Sequence, residues 1–166
     1  MPRTLEKHAE IVMQLAEARC MTVATVESCT AGSFAHLLSR VEGASKTLHG
    51  GFIVYTKQNK VAAVGVPAEV LEAHTAVSAA VAEAMAAGGL ARCPASVVAA
   101  ITGVAGPEPD EDGNPVGLVY VAAAIRDGPA RVVQHDFGKL DRDRICNAAI
   151  GAALTLLAEL LQARVP

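Results

Sequence analysis

The chain has 166 residues, a formal net charge of -3 and no block of like charge, which argues against nucleic acid or anionic membrane as a general partner. Apolar residues make up 52% of it and aromatics 3%, with no Trp, so it has material for a core but no stacking platform for bases or sugars. The four cysteines lack C-x-x-C spacing and the first residues are charged, so we expect reduced thiols, no signal peptide and a cytoplasmic location.

Apolar positions at helical spacing (Leu5, Val12, Leu15, Ala16) predict a first helix over 4–19. Met21 to Val26 alternates apolar and β-branched residues and reads as a strand, stopping at Glu27-Ser28. From Thr30 the pattern turns helical, with Phe34, Leu37, Leu38 and Val41 on one face and Gly43 as its end. A second strand is expected over 50–56, then a short helix from Asn59 to Val64 and another from Pro67 through Leu71. Ser78 opens an Ala-rich helix that ends near Gly88-Gly89.

The near-continuous apolar run 95–101 predicts a buried strand, leading into the small-residue turn Thr102-Gly103-Val104-Ala105-Gly106-Pro107. An acidic loop follows over 108–114, read as a solvated loop rather than a cation site because it lacks the EF-hand pattern. A fourth strand starts around Pro115, Asp127-Gly128-Pro129 turns the chain, and 130–137 completes a hairpin. The last helix is expected from Asp141 to Leu161. No apolar run reads as long and unbroken enough to cross a bilayer. The order predicts one α/β domain over residues 1–166: a three-layer α/β/α sandwich around a mixed, mostly parallel five-stranded sheet.

Ligands of such sheets bind beyond the carboxyl ends of the strands, which selects residues 26–32, 55–60 and 102–107. Ser28 stands at a strand-to-helix turn, where a serine is an ordinary helix cap or a nucleophile beside free N–H groups. Thr30 offers an alternative cap, leaving Ser28 free. No His has metal-ligand spacing with another, and none is well placed as a base for Ser28. A buried lysine with a lowered pKa serves instead, Lys60 or its competitor Lys57, with the Tyr55 hydroxyl orienting it or relaying a proton. Cys29, beside the same helix start, is the second candidate nucleophile.

Together these segments resemble the CinA C-terminal domain family. Glu27-Ser28-Cys29-Thr30-Ala31-Gly32 is similar to its E-S-C-T-G-G signature, and Gly50-Gly51-Phe52-Ile53-Val54-Tyr55 with Lys60 to its G-G-x-V-x-Y…K segment. Gly65-Val66-Pro67, Ala76-Val77-Ser78, Thr102 to Pro107 and Pro115-Val116-Gly117 match its G-V-P, A-V-S, T-G-x-A-G-P and P-V-G pieces. The resemblance implies a three-layer sandwich and a metal-independent serine amidohydrolase without cofactor. Its implied reaction converts nicotinamide mononucleotide to nicotinate mononucleotide and ammonia. It implies Ser28, Tyr55 and Lys60 as catalytic residues. Glu27, Cys29, Thr30, Ala31, Gly32, Thr102, Gly103, Ala105, Gly106 and Arg142 are the expected substrate-binding set. A small-molecule substrate and a homo-oligomer are expected, with no metal. Four positions depart from the family pattern: Ala31 and Thr75 replace glycines, Asn114 a lysine and Cys146 an arginine. Two alternatives stay open, the same machinery acting on another small amide and a non-catalytic module of the competence/damage-inducible type.

Overall fold

The computed structural model describes residues 2–163. The helices are α1 (Pro2–Ala18), α2 (Ser33–Ser39), α3 (Ala44–Thr47), α4 (Lys57–Val64), α5 (Ala68–His74), α6 (Ala79–Arg92) and α7 (Arg142–Gln162). The strands are β1 (Val23–Glu27), β2 (Leu48–Ile53), β3 (Val97–Gly103), β4 (Leu118–Ile125) and β5 (Ala130–Asp136). They form one sheet in the order β2-β1-β3-β4-β5. β1 pairs in parallel with β2 and β3, and β4 runs antiparallel to both β3 and β5. Four strands therefore share a direction and β4 alone is reversed, as expected for a mostly parallel sheet ending in a hairpin.

Period-two alternation splits the core into two layers. Val97, Ala99 and Ile101 face one side, with Val12, Phe34, Leu38 and the apolar stripe of α7 from Ile145 to Leu161. Val98 and Ala100 face the other, with Val64, Leu71, Val81 and Met85. α7 has the length and apolar composition of a membrane span, which the reading of the sequence missed, and its apolar stripe is spent on this core.

Several boundaries differ from expectation. β2 spans Leu48–Ile53, so Tyr55 lies beyond the strand rather than ending it. Gly43, with φ 79°, does not end a long helix; it precedes the extra four-residue α3, which no apolar period announced. α2 begins at Ser33, after a turn in which Ala31 (φ 48°) and Gly32 (φ 98°) both adopt left-handed backbone. Thr56 caps α4 through its side chain, which starts that helix two residues earlier than expected and brings Lys57 into it.

Candidate active site

The carboxyl ends of β1, β2 and β3 meet beside a cavity of about 600 Å³. β1 lies between β2 and β3, so the chain leaves it toward one neighbour and returns on the other, the crevice where such sheets hold ligands. Ser28 follows β1 directly, and its N–H donates to the Ile101 carbonyl of β3 at 3.0 Å. Lys60 projects from the first turn of α4, and its Nζ lies 2.8 Å from Ser28 Oγ and 3.0 Å from the Val54 carbonyl. Lys60 is 1% exposed, and burial lowers it from the ordinary 10.5 to about 8. A neutral lysine amine in hydrogen-bond contact with a serine hydroxyl is a nucleophile–base pair.

The other candidates have different surroundings. Lys57 is bound at 2.9 Å by Glu111 and at 2.8 Å by Asp112. Its hydrogen bonds to these carboxylates raise its pKa, which keeps it an ammonium and not a base. Burial pushes the Cys29 thiol up to about 12, which favours the neutral thiol over the thiolate. Tyr55 lines the cavity, 56% exposed, and makes no hydrogen bond to Lys60 or Ser28; the Val54 carbonyl holds the lysine in the place expected of Tyr55.

Of the expected substrate-binding set, Cys29, Thr102, Gly103, Ala105, Gly106 and Arg142 line the cavity. Thr102 Oγ1 donates to the Ala76 carbonyl at 2.7 Å, and Arg142 donates to the Gly106 carbonyl. Glu27, Thr30, Ala31 and Gly32 do not line it. Glu27, 1% exposed, turns its carboxylate to the start of α2 and accepts from Gly32 N (3.0 Å), Phe34 N (3.1 Å) and Ala35 N (2.8 Å). Thr30 donates to the same carboxylate at 2.7 Å rather than capping the helix itself. These donors are the N–H groups at the helix start that the sequence suggested for an oxyanion, and Glu27 already occupies them.

The acidic loop forms one wall of the cavity through Glu108, Asp110, Glu111 and Asp112. Asp110 folds it, accepting from the N–H groups of Asp112 and Asn114, and Asn114 Nδ2 reaches Thr75 Oγ1 at 3.1 Å. Two departures from the family pattern, Thr75 and Asn114, thus touch one another. Thr75 has φ 64°, costly for a β-branched residue. Cys146, a third departure, lies with its Sγ 3.5 Å from the Cys29 carbonyl oxygen. No group of three metal-ligating side chains occurs among the described residues.

Reading the sequence missed Ala76, Val77 and the acidic loop as cavity walls, because nothing local marks which loops converge. The capping by Glu27 had a usable signal. A carboxylate that ends a wholly buried strand needs donors, and the next helix start supplies unpaired N–H groups.

The family model of the CinA C-terminal domain matches residues 5–161. A CinA-like protein of Synechococcus sp. (strain RCC307) is 40% identical over 149 residues, covering 90% of this chain and 36% of that protein. A CinA-like protein of Myxococcus xanthus is 39% identical over 158 residues, covering 95% and 37%. The chain thus spans about a third of the length of these curated relatives. Among solved structures, the competence/damage inducible protein CihA from Agrobacterium tumefaciens superposes with a TM-score of 0.92 at 35% identity, covering 95% of this chain and 96% of that one. A CinA superfamily protein from Escherichia coli gives 0.89 at 35% identity, covering 94% and 90%.

Proposed function

This chain belongs to the CinA C-terminal domain family, and on that premise we propose that it is a serine amidohydrolase that deamidates nicotinamide mononucleotide. The observation that carries the chemistry is the 2.8 Å contact between Lys60 Nζ and Ser28 Oγ in a buried corner of the cavity. The mononucleotide rests on the family resemblance.

In this reading neutral Lys60 takes the Ser28 proton as Oγ attacks the carboxamide carbon. Glu27 takes the N–H groups of Gly32, Phe34 and Ala35, which leaves the Thr30 N–H and the Cys29 N–H, the latter facing its own thiol, as the turn donors for the oxyanion. The lysine ammonium then returns its proton to the departing nitrogen and ammonia leaves. Water, deprotonated by the same lysine, attacks the acyl carbon; the bond to Ser28 Oγ breaks, the lysine returns its proton to Oγ, and the acid leaves as its carboxylate. Tyr55, exposed at the cavity wall, is suited to cover the substrate ring rather than to relay a proton. The test is ammonia release from nicotinamide mononucleotide. Ser28→Ala is expected to reduce it by a factor on the order of 10⁴ or more, and undiminished release would overturn the reading.

A second substrate, a carboxamide without a phosphate, is favoured by one observation. Lys57, a cavity cation, is already held by Glu111 and Asp112. Rates on the mononucleotide and on its dephosphorylated nucleoside decide between the two.

A further inference from the structure

We propose that Glu27 is a positioning residue for the Ser28 nucleophile, holding the turn that carries it by drawing five donors onto one buried carboxylate. The inference rests on the reading of Ser28 as nucleophile and goes beyond it. Oε1 accepts from Thr25 Oγ1 at 3.0 Å and Ala35 N at 2.8 Å. Oε2 accepts from Thr30 Oγ1 at 2.7 Å, Gly32 N at 3.0 Å and Phe34 N at 3.1 Å. The donors come from before, within and after the segment 28–32. That segment includes two successive left-handed residues, Ala31 and Gly32, a backbone the chain does not hold by itself.

The main chain of Glu27 closes the circuit from the other side. Its carbonyl accepts from Val54 N at 2.8 Å, and the Val54 carbonyl in turn accepts from Lys60 Nζ at 3.0 Å. One residue therefore fixes the turn bearing the nucleophile with its side chain and the peptide orienting the base with its backbone. The carboxylate also takes up the N–H groups of Gly32, Phe34 and Ala35, so the turn donors it leaves beside Ser28 are those of Cys29 and Thr30.

A glutamine at this position keeps the shape but sets an NH2 group against an N–H donor, whichever way the amide turns. The charge is lost and so is the convergence. The expected result is a turn free to shift, with Ser28 displaced by a fraction of an ångström from its attack geometry. That displacement lowers turnover and leaves ground-state binding, which depends on other walls of the cavity, unaltered.

The experiment follows Ser28 directly, by the rate of covalent labelling with a fluorophosphonate, read by intact mass across pH 6–10, beside ammonia-release kinetics. Wild type is expected to label once, with a midpoint near 8 set by Lys60. Glu27→Gln is expected to keep that midpoint while its labelling plateau and kcat fall about 10- to 100-fold, with KM within about twofold. The double variant Thr25→Val/Thr30→Val retains the carboxylate, gives up one donor per oxygen and is expected to show an intermediate loss. It serves as the test if Glu27→Gln does not fold. A variant that melts earlier yet labels at the wild-type rate when folded makes Glu27 a stability residue only and overturns the proposal. If wild type is not labelled, or Ser28→Ala labels equally, the nucleophile reading itself fails, and the positioning role falls with it.

Discussion

Lys60 is held between a hydroxyl and a carbonyl, and neither partner carries a charge that would offset its ammonium. Burial therefore sets its proton affinity, and the consequence has a sign. Below about pH 8 both the folded and the unfolded chain keep this proton. Between 8 and the ordinary 10.5 the folded chain has released it while the unfolded chain retains it, so this group makes stability rise with pH across that window. For the proposed amide hydrolysis, the same titration predicts a rate that climbs through about pH 8 and then levels. Lys60→Met is expected to abolish turnover and, at pH 6, to be more stable than wild type by on the order of 2 kcal/mol. That advantage should shrink above pH 8 in denaturant titrations at several pH values. A loss of stability at pH 6 would show that the two hydrogen bonds outweigh the buried charge. The pairing of Ser28 with Lys60 was legible from the sequence because each follows the end of a parallel strand, and neighbouring strand ends meet. The place of Tyr55 was not, since β2 ends three residues before the expected Thr56, and nothing in Val54-Tyr55-Thr56 announces that end.

At the scale of elements, the loop of residues 104–117 between β3 and β4 matters most to access. It is fastened on two sides of the cavity: by Glu111 and Asp112 to Lys57 on α4, and by Asn114 to Thr75 at the end of α5. Exposed ion pairs contribute about 0–1 kcal/mol, so this fastening governs local opening rather than global stability. Lys57→Ala is expected to move the melting temperature by no more than about 2 °C while speeding amide exchange at Asp112 and Asn114 about threefold or more. Unchanged exchange at those amides would show that Asp110 alone holds the loop. The elements themselves were largely visible as periodicity and turn chemistry. Their linkage was not, because Lys57 and Asp112 are 55 positions apart and only the folded sheet brings their loops together.

For the whole molecule, two glycines of α6 let that helix lie directly against α4 and β1. A Cβ placed on Gly88 would sit 1.9 Å from the Val64 carbonyl oxygen, and one on Gly89 would sit 2.7 Å from Val26 Cγ2. Val64 ends the helix that carries Lys60, so this backbone contact braces the element that presents the lysine. Gly88→Ala is expected to cost about 1–3 kcal/mol in chemical denaturation and to lower kcat in the folded fraction as α4 is pushed away. A stability loss with kcat intact would uncouple the two. The sandwich architecture was legible because apolar alternation encodes a buried sheet; this contact was not, since an Ala-rich helix gives no sign of which small residue is indispensable. The molecule also divides its labour unevenly. Ser28 and Lys60 are buried and in contact, while one wall of the cavity is a single surface loop with its own local fastenings. Sequence change in that loop reshapes a cavity wall without touching the Ser28–Lys60 contact. A library confined to residues 108–114, screened on carboxamides, is therefore expected to vary what the proposed enzyme accepts while the Ser28–Lys60 contact stays constant.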